Sequence, residues 1–128
     1  MLKLFCIAAG GALGAVARYG LSPLVQNVTP GTFPLGTLCV NAVGSLLIGV
    51  FLAVSELTPV SPAVRLLFAV GFLGAFTTFS TYSMETLKLF RDKEAMLGLM
   101  NIGLNNSISL LAVCGAYFLS RSVVTSLR

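Results

Sequence analysis

Four stretches of this chain carry no Asp, Glu, Lys or Arg: residues 4–17, 19–55, 66–84 and 95–120. A helix needs about 20 apolar residues to cross the hydrocarbon of a bilayer. The first stretch stays apolar past Arg18 to Leu24, and the second is interrupted at "SPLVQNVTPGTFP" by three prolines and several turn formers. The pattern predicts helices over about 3–24, 34–56, 63–91 and 95–120. Pro30, Gly31 and Pro34 close one turn and open the next helix, "SELTPVSP" separates helices two and three, and "RDKE" at 91–94 is a short polar turn. Only 9% of the residues are charged, against about a quarter in soluble domains, too few to cover a water-facing surface. The expected class is an all-α membrane protein, one four-helix transmembrane domain over 1–128. Lys3 and the apolar run after it resemble a signal peptide. No small-residue cleavage site with a polar mature region follows, so the run is read as a retained span.

There is no histidine, and the four acids and three cysteines (Cys6, Cys39, Cys114) show no metal-ligand or disulfide spacing. The residue inventory argues against hydrolytic or metal-assisted catalysis. The net charge of +4 comes from basic residues scattered at helix ends, without the patch and interleaved aromatics that nucleic acid requires. With four crossings, Lys3, Arg65, Arg121 and Arg128 fall on one side; Lys88, Arg91, Lys93 and Arg18 fall on the other. Orientation follows an excess of Lys and Arg in cytoplasmic loops. A chain this evenly divided is expected to insert both ways, a dual topology.

Polar residues recur where lipid offers them nothing. Thr37, Asn41 and Ser45 are spaced by four on helix two, and Asn101, Asn105 and Ser109 on helix four, so each set forms a stripe. Such residues serve as interhelical glue for about 0.6–2 kcal/mol each, or they line a path. Two full stripes and a third hydroxyl-rich segment favour the path. Gly10, Gly11 and Gly14 in "GGALGAVARYG" make a small-residue packing face. Arg18 either marks a functional vestibule or snorkels to the interface. Glu85 either pairs with a base or faces water.

The third segment, "GFLGAFTTFSTYS" at 71–83, combines two glycines, five hydroxyls and a tyrosine. It predicts a helix broken near its middle, tolerated only where protein or an ion meets the freed backbone groups. Carbonyls released there suit a small hard cation. Phe79 and Tyr82, three apart, share a face, and their electropositive ring edges can meet an anion or pack against a neighbouring helix.

"GTLCVNAVGS" and "GFLGAFTTFSTYSMET", with "GGALGAVARY" and "NIGLNNSIS", resemble the signatures of the small bacterial fluoride channels, the Fluc or CrcB family, over essentially the whole chain. The resemblance implies a multi-pass protein of the bacterial inner membrane, an antiparallel dual-topology dimer with two fluoride pores and a central structural Na+. The backbone carbonyls of Gly74 and Thr77 would hold the sodium. Phe79, Tyr82, Asn41, Asn105, Ser109, Ser80 and Thr81 would line the fluoride path, and Arg18, Thr37 and Glu85 would be vestibular or structural. Passive fluoride exit would lower its toxicity. Tyr82 departs from the family's commonest residue, phenylalanine, and its phenol adds a donor. Because one chain carries every motif, the expected partner is a second copy of itself.

Fluoride is small and strongly hydrated, so a path for it must replace water with compact donors such as amides, hydroxyls and ring edges. Several weak sites allow passage where one strong site would block it. Two other readings compete with this one. A small multidrug-type antiporter needs a carboxylate in helix one, where this chain has Arg18. A non-transporting assembly subunit would use the stripes only as glue, and would tolerate their replacement by apolar residues.

Overall fold

The computed structural model describes residues 1–28 and 31–127. Pro30, assigned above to a turn, and Arg128, counted in the charge division, lie outside the described residues. Seven helical elements follow one another: α1 (Leu2–Gln26), α2 (Leu35–Leu57), α3 (Pro62–Arg65), a π-helical stretch (Leu66–Leu73), α4 (Gly74–Phe76), α5 (Phe79–Arg91) and α6 (Ala95–Ser126). No strand occurs among the described residues. Among the described residues, four spans are long and apolar enough to cross a membrane: Leu2–Gln26, Leu35–Leu57, Pro62–Arg91 and Ala95–Ser126. Four spans were expected.

The ends differ from the sequence-based bounds in two places. The first span runs to Gln26 with Pro23 inside it. The fourth continues to Ser126 instead of stopping at 120. That extension is held by side chains: Glu56 at the end of α2 accepts from the Tyr117 hydroxyl at 2.7 Å and from Arg121 Nη1 at 3.3 Å. Arg121 also lies over the Tyr117 ring, 5.9 Å from its centre. A charge expected to end the helix instead ties it to its neighbour. At the same end of the bundle, the start of the third span is set by Pro62 at the first helical position and by Ser61 Oγ, which accepts from the Val64 N–H.

The spans do not pack as four equal neighbours. α2 lies between α1 and α6. The third span divides its allegiance: α3, the π-helical stretch and α4 pack on α1, while α5 packs on α6 and α2. The change of partner occurs at Thr77 and Thr78, both extended (ψ 157° and 116°), between the end of α4 and the start of α5.

The first half sits close to α1 because α1 presents glycine. A Cβ on Gly10 would fall on the Leu67 carbonyl oxygen, with Phe72 N at 2.9 Å, and one on Gly14 would fall on the Phe72 carbonyl oxygen. Gly71 faces the same seam, where an added Cβ would meet the Ile7 carbonyl at 2.7 Å. Lipid tails are as apolar as leucine, so spans associate through such close backbone approach. Behind this seam Phe68, Phe72 and Phe76 stack at 5.7 Å intervals with interplanar angles of 8°, and Phe51 of α2 caps the column 5.2 Å from Phe68.

The seam yields a paired test. Gly10→Ala forces backbone apart and is expected to lower stability by about 1–3 kcal/mol. Gly11→Ala, one residue on and with nothing within 4 Å, is expected to change it by less than about 1 kcal/mol. Thermal unfolding of the two variants in one detergent compares them.

Candidate functional site

The extended pair Thr77–Thr78 would leave backbone groups without helical partners in a medium that offers none, at several kcal/mol each. Asn41 of α2 answers both groups of Thr78. Its Oδ1 accepts from the Thr78 N–H at 2.9 Å, and its Nδ2 donates to the Thr78 carbonyl at 3.2 Å. A backbone N–H can only donate, so this pairing fixes which way the amide faces.

That orientation propagates. Asn41 Nδ2 also donates to Asn105 Oδ1 at 3.1 Å, Asn105 Nδ2 to Asn101 Oδ1 at 2.8 Å, and Asn101 Nδ2 to Thr86 Oγ1 at 2.8 Å. Thr86 Oγ1 donates in turn to the Tyr82 carbonyl at 2.7 Å. Every link runs in the same sense, from the Thr78 N–H to the Tyr82 carbonyl. The inner members are enclosed, with Asn101 0% and Asn105 5% exposed. The chain therefore closes on itself at both ends of the first turn of α5.

The other hydroxyls of the segment serve that turn. Thr78 Oγ1 accepts from the Thr81 N–H at 3.2 Å, capping α5, and donates to Thr81 Oγ1 at 2.9 Å; Ser80 Oγ lies 3.3 Å from it. Two carbonyls lose their helical donors as a result. In a continuous helix the Thr78 N–H would close on the carbonyl of Gly74, and the Thr81 N–H on that of Thr77. Here they go to Asn41 and to Thr78 Oγ1. Gly44 of α2 makes room beside this turn: an added Cβ would fall on Thr77 Cγ2.

A cavity of about 480 Å³ opens at this point, lined by Asn41, Asn105, Asn106, Ser109, Gly74, Thr77, Thr78, Phe79 and Tyr82. Phe79 is 75% exposed and Tyr82 only 8%, and their ring centres are 5.2 Å apart. The structure thus gathers eight of the residues singled out above around one space: Asn41, Ser45, Asn105, Ser109, Gly74, Thr77, Phe79 and Tyr82. Ser80 and Thr81 are not among the lining residues, because their hydroxyls turn to Thr78.

Thr37 and Glu85 pair elsewhere, Thr37 Oγ1 donating to Glu85 Oε1 at 2.9 Å. Glu85 lines a second cleft of about 560 Å³ with Gln26, Thr32, Lys88 and Asp92, and its Oε2 is buried without a hydrogen bond. Arg18 is half-buried, lines neither cleft, and has no hydrogen bond or ion pair among the described residues.

Thr86 and Asn106 carry parts of this arrangement that no single-helix spacing reveals. Asn106 stands one position after Asn105 and so projects to another face of α6. Its Nδ2 reaches the Tyr82 hydroxyl at 3.2 Å. The spacing of Thr78 and Thr81, three apart at a helix start, is a capping signal that could have been read.

The enclosed chain generates a stability test. Thr86→Val keeps the shape but leaves Asn101 Nδ2 without an acceptor, and is expected to cost about 1–3 kcal/mol. Ser107→Ala, at an exposed position of α6, should leave the unfolding midpoint unchanged in the same detergent.

Comparison with known proteins gives one consistent result. Residues 5–117 match the family model described as "CrcB-like protein, Camphor Resistance (CrcB)". A protein of Idiomarina loihiensis named fluoride-specific ion channel FluC is 42% identical over 124 residues, covering 97% of this chain and 96% of that one. Proteins of the same name from Shewanella sp. strain ANA-3 and Shewanella putrefaciens are 43% and 42% identical, each over 88% of this chain and 91% of theirs.

Proposed function

The chain belongs to the CrcB-like family, and from that premise we propose that it is a fluoride-selective ion channel of the cell membrane, passive and without a chemical step. Its relatives are named ion channels, which are not enzymes. The observation that carries the reading is the cavity beside the third span's extended turn. Amide, hydroxyl and aromatic edge groups meet there within four membrane-spanning helices. An anion stripped of water needs compact donors. Asn41 and Asn105 spend both amide hydrogens within the wall, which leaves the Ser109 hydroxyl, the Tyr82 phenol and the Phe79 ring edge as several contacts of modest strength in place of one lysine.

Asn41 plays two parts in this reading. It holds the turn, and it sets the sense of the donor chain that stiffens the cavity wall. Phe79, uncovered in a single subunit, would present its ring edge to the anion or to a second subunit. The near-even division of Lys and Arg favours a dimer of oppositely inserted copies, with a pathway on each. In a bacterial inner membrane, such a channel would let fluoride leave and so relieve its toxicity.

The residues present fit a structural sodium ion. The carbonyls of Gly74 and Thr77, whose helical donors are diverted to Asn41 and Thr78 Oγ1, are hard oxygen donors of the kind that such a cation takes. Two carbonyls are too few alone, so two subunits would contribute a pair each. The ion would supply a fixed positive charge that raises anion affinity nearby.

Efflux from liposomes, followed with a fluoride electrode against a chloride control, tests the reading. The expected result is rapid fluoride loss with chloride retained, and at least a tenfold slowing for Phe79→Ala. Retention of both ions by verified, folded wild-type protein would overturn it. Replacing sodium by N-methylglucamine throughout purification should lower the unfolding temperature, with recovery on adding sodium back; an unchanged midpoint would remove the sodium site.

A further inference from the structure

The Tyr82 hydroxyl has a partner that decides what its proton does. Asn106 Nδ2 donates to the Ile102 carbonyl at 2.8 Å and to the Tyr82 hydroxyl at 3.2 Å. A carbonyl can only accept, so the Ile102 contact fixes nitrogen, not oxygen, on that side of the amide. With nitrogen there, the contact to Tyr82 is also a donation. The phenol oxygen therefore accepts from Asn106, and its own O–H is left to point elsewhere. Among the described residues no other hydrogen bond engages that hydroxyl, and both Tyr82 and Asn106 line the cavity.

We infer that the Tyr82 phenol is an O–H donor to the permeating anion, and that Asn106 is the positioning residue that turns it that way. The inference rests on the pathway reading above and deepens it. Where a ring edge alone offers a weak, diffuse contact, this chain adds a directed donor. An O–H held by an amide donor behind it is also a better donor itself, because successive hydrogen bonds polarise one another. A compact, strongly accepting anion gains most from such a group. A larger halide gains least. The arrangement is thus a specificity device placed beside Phe79, whose ring centre lies 5.2 Å from that of Tyr82.

Asn106 is exposed at the edge of α6 and lies outside the enclosed chain through Asn105, Asn101 and Thr86. Its replacement does not touch the wall that holds the turn. Tyr82→Phe removes one oxygen and keeps the buried ring.

The chain has three tyrosines and no tryptophan, so ultraviolet difference absorption reports phenols cleanly. Purified full-length protein would be titrated with fluoride, and with chloride as control, and the same variants followed for fluoride efflux from liposomes. In wild type, fluoride should give a saturating phenol difference spectrum that chloride does not. Tyr82→Phe should abolish it. Asn106→Ala should raise the half-saturating fluoride concentration about tenfold, what losing support for one hydrogen bond to a charged group amounts to. In efflux, Asn106→Ala should have no further effect once Tyr82 is phenylalanine. A wild type that conducts fluoride but whose spectrum survives Tyr82→Phe, or whose two efflux penalties simply add, would overturn this inference and leave the channel reading standing. A wild type that conducts no fluoride would overturn both.

Discussion

The fold turns on one amide. Two residues in the middle of an apolar span cannot take extended backbone angles unless something meets the groups they release. Asn41, on a different helix, meets both groups of Thr78 at once. With that pairing in place, the third span can abandon α1 for α6, the carbonyls of Gly74 and Thr77 are released from the helix, and a cavity forms beside the turn. Without it, a continuous helix would be the cheaper arrangement. Burying an asparagine in a membrane helix is costly unless it is fully satisfied, and here the satisfaction of Asn41 is passed along to Asn105, Asn101 and Thr86.

The glycine seam and the asparagine chain divide the labour. The seam fixes the first half of the third span by bringing backbone onto backbone, a contact with no polar specificity but little tolerance in distance. The asparagine chain fixes the second half by donor and acceptor identity, with no tolerance in polarity. The turn stands where the two regimes meet.

Much of this was legible from residue order. The four spans follow from where charge is missing, and the stripes on helices two and four follow from a spacing of four; that Asn41 and Asn105 of the two stripes meet is set by how the helices pack. The upper end of the fourth span was misjudged, because Arg121 reads as a stop until Glu56 and Tyr117 are seen beside it. The resemblance counts Ser80 and Thr81 along the path; within one subunit their hydroxyls meet Thr78 at the helix cap, an arrangement set by local backbone geometry that composition does not encode. Asn106 had no reading at all, since its meaning depends on Tyr82, which stands 24 residues away on another span.

The single sense of the asparagine chain bears on how such a sequence can change over generations. Each link requires a donor on one side and an acceptor on the other, so the members share a parity. Replacing one asparagine by an acid of the same shape removes donors that the next member needs, and no rotation of that residue restores them. Drift at these positions is consequently coupled: a tolerated change at one site must be matched by a change at its neighbour, or both must leave the polar set together. Positions on three separate helices are thereby tied into one unit of inheritance.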